Sequence, residues 1–198
     1  MRRGNYHKSA ADKSLVLAAL GLLCSATLMT TAGAAQSRNP ETQGWSTYKS
    51  PSFGFSFAFP DGLFKLDKTS RQANGGGIWL TEDRSARLIA TSGPNQGRET
   101  IAAYRQSILN ESYANARLDY APILPNGFVL SGVIAGSQGA ATGERMFYER
   151  VTFVCDGRFI YGWQIMYPAA QRQKFDRIVE AVSRSYKPGR GNNGDCSE

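Results

Sequence analysis

The stretch SPSFGFSFAFPDG, residues 50–62, carries a ring at every second position: Phe53, Phe55, Phe57 and Phe59. Strict alternation predicts a strand over 52–60, since successive side chains of a strand point to opposite faces. The four rings then share one face, while Gly54, Ser56 and Ala58 leave the other nearly bare. An inner strand is expected, with its ringed face filled and its bare face closely covered, ended by Pro60-Asp61-Gly62. Large apolar groups at strand spacing are mostly buried, so the row reads as core and not as a platform for a ligand.

Other segments follow the same logic. Ile78–Thr81 and Arg87–Thr91 read as a hairpin around the turn Glu82-Asp83-Arg84-Ser85, after a loop RQANGGG. Ile101, Tyr104, Ile108 and Leu109 recur at helical spacing behind Thr100, a plausible N-cap. ARLDYAPIL and GFVLSGVIAG read as two strands separated by Pro125-Asn126-Gly127. Asp156-Gly157, set between the β-rich runs RMFYERVTFVC and RFIYGWQIMY, is a strong two-residue hairpin signal. That turn pairs Cys155 with Arg158, Val154 with Phe159 and Thr152 with Tyr161, and sets Arg150 opposite Trp163. Both faces of this hairpin are largely apolar, so both should be covered. In AAQRQKFDRIVEAVSRSY the stripe Phe175, Ile178, Val179, Val182 and Tyr186 predicts an amphipathic helix, stopped by Pro188-Gly189.

The start of the chain belongs to no such element. Arg2, Arg3, Lys8 and Lys13 precede the apolar run Leu15–Met29 and the small residues Ala32-Gly33-Ala34. This is the make-up of a secretory signal peptide, residues 1–34, with a mature chain starting near Ala35. An uncleaved anchor would need about 20 apolar residues, and the run is shorter. Cys24 lacks the small residue before it that a lipobox wants; Sec and twin-arginine export both stay open. Residues 35–44 form a polar lead-in, 45–187 one globular domain, and 188–198 a Gly-rich tail. Cleavage removes four of 23 Lys and Arg and one of 16 acids, leaving 19 minus 15, or +4. The arginines are scattered, and neither a basic cluster nor a motif points to nucleic acid.

Export changes the meaning of the cysteines. Cys24 leaves with the signal peptide, and Cys155 and Cys196 remain as an even pair in an oxidising compartment, which predicts a disulfide. Two unpaired thiols are the alternative if the tail is unstructured.

Candidate chemistry is sparse. The single histidine, His7, lies in the signal peptide, which leaves the mature chain without Ser-His-Asp or Cys-His catalysis. Ser46-Thr47-Tyr48-Lys49 spells S-x-x-K, and Tyr113-Ala114-Asn115 and Lys68-Thr69-Ser70 mimic two companion motifs of penicillin-recognising enzymes. Their order is reversed, however, and Ser46 sits in a β-like stretch where that chemistry wants a helix start. Glu149 faces Gln164 within an otherwise apolar surface, which reads as a structural hydrogen bond. Gly75-Gly76-Gly77 lacks the setting of a phosphate loop. No catalytic, cofactor-binding or metal-binding residue is assigned, and no cofactor is expected.

YKSPSFGFSFAFPDGLF, followed by the final hairpin and the helix YPAAQRQKFDRIVEAVSRSY, resembles the Mog1/PsbP-like fold. It is similar in particular to small exported proteins of alpha-proteobacteria without an assigned activity. The resemblance covers about Trp45 to Lys187 and rests on strand order and texture, with no catalytic motif in it. It implies an α+β fold, an antiparallel sheet sandwiched by helices, serving as a protein-binding or accessory module. Partners differ among members: some assist photosystem II, one binds a small GTPase, others act in bacterial envelopes. The expectation is therefore a non-enzymatic periplasmic or secreted domain whose partner is an envelope protein. A carrier of a small apolar ligand and a hydrolase with an atypical site are the alternatives.

Overall fold

The computed structural model describes residues 44–70, 76–136, 143–190 and Cys196. The expected signal peptide, most of the lead-in and most of the Gly-rich tail lie outside the described residues.

Among the described residues ten strands and two α-helices follow in the order β1 (Trp45–Lys49), β2 (Ser56–Pro60), β3 (Lys65–Leu66), β4 (Gly77–Leu80), β5 (Arg87–Pro94), α1 (Ile101–Ser112), β6 (Ala116–Tyr120), β7 (Ile123–Leu124), β8 (Gly127–Ile134), β9 (Arg145–Val154), β10 (Phe159–Pro168) and α2 (Arg172–Ser185). Eight strands form one antiparallel sheet in the order β3-β4-β5-β10-β9-β8-β6, with β7 also paired to β8. Helix α1 covers one face and α2 the other. This is the α+β sandwich expected from the sequence.

The β9–β10 hairpin carries the centre of the sheet, and its register is the one the Asp-Gly turn predicts. Val154 pairs with Phe159, Thr152 with Tyr161, Arg150 with Trp163 and Glu149 with Gln164. Asp156 and Gly157 adopt positive φ of 54° and 80°, and the Arg158 N–H donates to the Cys155 carbonyl at 3.1 Å. Positive φ at both central residues matches the twist of the flanking strands. Both faces are buried, as their apolar composition requires. Tyr161, Trp163 and Ile165 pack beneath α2 with the Phe row, and Phe147, Val151, Phe153 and Met166 pack beneath α1.

Strand β2 departs from expectation. It pairs only with β1, in a separate two-stranded sheet, and is not an inner strand of the main sheet. The ladder begins at Ser56, because a tight turn joins the Ser50 N–H to Phe55 O and the Gly54 N–H to Ser50 O. All four phenylalanines are nevertheless buried in the α2-side core. The bare side is half-exposed rather than closely covered. The chain leaving α2 takes the free edge of β2 instead: Ser56 and Lys187 exchange backbone hydrogen bonds of 2.9 and 2.8 Å, and the Ala58 N–H donates to Ser185 Oγ. Gly189 then passes so close that a Cβ there would lie 1.9 Å from the Phe53 carbonyl oxygen. Alternation fixes which way side chains point, but not which neighbour completes the hydrogen bonds.

Helix α1 begins where expected, with Thr100 Oγ1 accepting from the Ala103 N–H at 3.1 Å. Its apolar residues Ile101, Tyr104, Ile108 and Leu109 lie against the sheet. The stretch read as one strand, ARLDYAPIL, is two, β6 and β7, interrupted at Pro122, which lacks the N–H a ladder needs. A register shift between Leu118 and Tyr120 bends β6 before that break. The structure joins Cys155 to Cys196, with Cα atoms 5.3 Å apart, linking the β9–β10 turn to the chain end.

Candidate functional site

Beneath the C-terminal end of α1, three polar side chains meet inside the apolar face of the sheet. Tyr113 caps α1, and its ring is stacked on Phe147 with centroids 4.1 Å apart. That stacking aims its hydroxyl at the β9–β10 pair Glu149–Gln164. The Tyr113 hydroxyl donates to Glu149 Oε2 at 2.5 Å and accepts from Gln164 Nε2 at 2.7 Å. Gln164 Nε2 lies 3.5 Å from the same carboxylate oxygen. The direct Gln164–Glu149 bond expected from strand register is thus mediated mainly by a tyrosine from the helix.

Burial dominates the electrostatics here. It pushes the Glu149 carboxyl up from its ordinary value, against the hydrogen bonds from Tyr113 and Gln164 and the charge of Arg87. Burial also raises Tyr113, with Glu149 adding to the effect. A carboxyl that holds its proton more tightly could serve as a general acid, but the arrangement lacks the rest of such a site. Two cavities, of about 500 and 380 Å³, lie elsewhere: one where α1 meets the β9–β10 turn, the other beside β3 and β4. None of Tyr113, Glu149 and Gln164 lines either of them. What the trio does is lock the end of α1 to the two central strands.

The S-x-x-K match does not assemble. Ser46 and Lys49 stand three positions apart on strand β1, which sends them to opposite faces. Ser46 Oγ donates to Asp61 Oδ2 at 2.5 Å. Among the described residues no group of three or more His, Cys, Asp or Glu is placed to hold a metal ion.

Two surface features escaped sequence reasoning. One is the outer edge of the main sheet, where Leu118 is 38%, Tyr120 59% and Ile123 58% exposed. The sequence pattern made β6 and β7 ordinary strands, and an edge position is not visible in alternation alone. The other is Arg87 at the start of β5 and Arg145 at the start of β9. They stand on the α1 face in adjoining rows, and Arg145 Nη2 donates to the Ser85 carbonyl at 3.1 Å.

No protein-family profile and no curated protein matches this chain. Solved structures do. The Ran-binding protein Mog1p of Saccharomyces cerevisiae aligns over 74% of this chain and 96% of its own, with a TM-score of 0.50 and 9% identity. The cyanobacterial PsbP of Synechocystis aligns over 79% and 98%, with a TM-score of 0.50 and 11% identity. LpqN of Mycobacterium tuberculosis, involved in cell envelope biogenesis, aligns over 73% and 90%, again at 0.50 and 11%. At such identities the likeness is one of fold: the chain has the Mog1/PsbP-like architecture. No helix among the described residues is long and apolar enough to cross a membrane.

Proposed function

We propose that this protein is a non-enzymatic accessory domain of the periplasm, or a secreted one, that acts by binding an envelope protein. In this reading residues 1–34 are removed on export, 35–44 are a tether, 45–187 bind, and the disulfide pins the tail 188–198. The observation that carries it is the free edge of the main sheet. Leu118, Tyr120 and Ile123 expose apolar surface along β6 and β7, and among the described residues no strand pairs with the outer side of β6. An open strand edge with exposed aromatic and aliphatic side chains suits an extended partner segment. Support also comes from the fold neighbours, one a Ran-binding protein and another involved in envelope biogenesis.

The test is capture from envelope extract by the mature protein and by a Tyr120→Glu/Ile123→Glu variant. The variant should melt like the parent, since both side chains are exposed, and should lose the captured band. Equal capture by both proteins would remove the edge from the argument. Turnover of an ester, peptide, glycoside or phosphate substrate that disappears in Ser46→Ala or Glu149→Gln would overturn the non-enzymatic reading.

A further inference from the structure

Four arginines on this fold are paired with acids. Arg84 meets Asp67, Arg117 meets Asp119, Arg172 meets Asp176 and Arg184 meets Glu180. Arg87 and Arg145 are not, a feature they share with Arg105 and Arg150, but these two are also neighbours. Strands β5 and β9 both run antiparallel to β10, so they start at the same end of the sheet, and each starts with an arginine. Strand β10 lies between them, setting Met166 opposite Arg87 and Pro168 opposite Arg145. The Arg145 side chain crosses that strand to bond the Ser85 carbonyl, two residues before Arg87. The Arg145 guanidinium is thereby carried to the β5 side of β10, where the charge of Arg87 acts on it.

Neither arginine forms an ion pair with a carboxylate among the described residues, and each has an enclosed Nε without a hydrogen-bond partner. Both side chains are half-buried. Burial, and then the charge of Arg87, pull Arg145 below the ordinary arginine value. Glu149 is the acid that feels Arg87 most directly, but its carboxyl already accepts from Tyr113, and burial biases it toward the neutral form. Two half-buried like charges side by side cost stability unless an anion joins them.

We infer that Arg87 and Arg145 form a binding site for a phosphate-class dianion, free or as the end of a monoester. Two guanidinium forks match an oxyanion with several acceptor oxygens, through paired N–H donors that a lysine cannot offer. Two positive charges match the dianion that a phosphomonoester becomes above its second ionisation at about pH 6. The apolar strip of Met166 and Pro168 between the arginines limits competing water and strengthens the attraction. The site is separate from the β6–β7 edge and does not depend on the partner proposed for it.

Nitrogen-15 NMR of the arginine Nε–H groups, at pH 7.5 and constant ionic strength, tests this without any substitution. Inorganic phosphate and glycerol phosphate are titrated in separate arms, with sodium chloride as the reference. Saturable shifts of the Arg87 and Arg145 signals, with a dissociation constant of about 1 mM or tighter, are expected. Tighter binding of the ester identifies a monoester ligand, and equal binding identifies the free ion. Arg87→Gln and Arg145→Gln should each weaken binding at least about tenfold, whereas Arg184→Gln, on the far helix, should not. Arg87→Lys keeps the charge without the fork and covers the case where the glutamine variants fail to fold; it too should bind more weakly. Shifts reproduced by chloride, or wild-type affinity in the folded Arg87 and Arg145 variants, would overturn the site.

Discussion

Replacing Phe57 by alanine tests whether the ring row holds the domain together. Phe57 is 0% exposed. Its ring is centred 5.3 Å from Tyr48, 6.2 Å from Trp79, and 6.3 Å from both Phe59 and Trp163. It thus bridges the β1–β2 hairpin to the main sheet. Truncation of a buried phenylalanine costs about 3–5 kcal/mol, from lost transfer energy plus the void left behind. Aromatic pairs add about 0.5–1.5 kcal/mol each beyond area, and four rigid neighbours close a void poorly, so the upper half of that range is expected. For a domain of this size each kcal/mol moves the melting temperature by about 2–4 °C. A loss of about 4 kcal/mol then lowers it by about 8–16 °C. Urea unfolding should show the midpoint falling at unchanged slope, by more than about 1 M. Leu66→Ala, at a side chain 52% exposed, is the reference and should stay within about 0.5 kcal/mol of the parent. If Phe57→Ala kept parental stability and lost only a binding activity, the row would be a ligand platform and the argument from burial would fail.

Glu149→Gln should alter the response to pH. Because burial raises Glu149, the folded protein holds this proton more tightly than the unfolded chain. The associated stability is full below the unfolded value of 4.5 and is lost as pH rises through the folded one. The variant mimics the neutral form, so its melting temperature should gain on the parent as pH increases from about 5 to 8; a constant difference across that window would refute the assignment. Asp67 and Asp83, depressed to about 2 mainly by hydroxyl hydrogen bonds, act in the opposite sense at lower pH and stay out of the way. Reduction of the Cys155–Cys196 bond, which closes a 41-residue separation, should cost up to about 4 kcal/mol; free thiols at both positions in native protein, found by non-reducing peptide mapping, would contradict it. Export with cleavage near Ala34 predicts the mass of a chain starting at Ala35 in a periplasmic fraction, and a full-length mass there would refute it.

Much of the architecture was legible because it is local. The Asp156-Gly157 turn set the register of β9 and β10, and helical spacing placed α1 and α2 on their apolar stripes. The location of β2 was not legible. Its free edge is completed by Lys187, and nothing in the alternation of 53–59 speaks of a residue so far along the chain. The polar trio was half legible. Register sets Glu149 opposite Gln164, but Tyr113 joins them from 36 and 51 positions away, by way of a helix whose end had to be positioned first. Arg87 and Arg145 come from separate hairpins, and only the folded sheet makes them neighbours.

The backbone clasp between Ser56 and Lys187 also governs the order of assembly. A growing chain presents β1 and β2 well before Lys187. The edge of the phenylalanine-bearing hairpin therefore waits until Lys187 has been made. The Ala58–Ser185 bond spans 127 positions, a loop whose closure must come before any reward from docking. The first strands of the domain are thus among the last of its elements to be secured. Chains broken off before Ser185 expose a row of aromatic side chains, a ready target for chaperones and quality-control proteases.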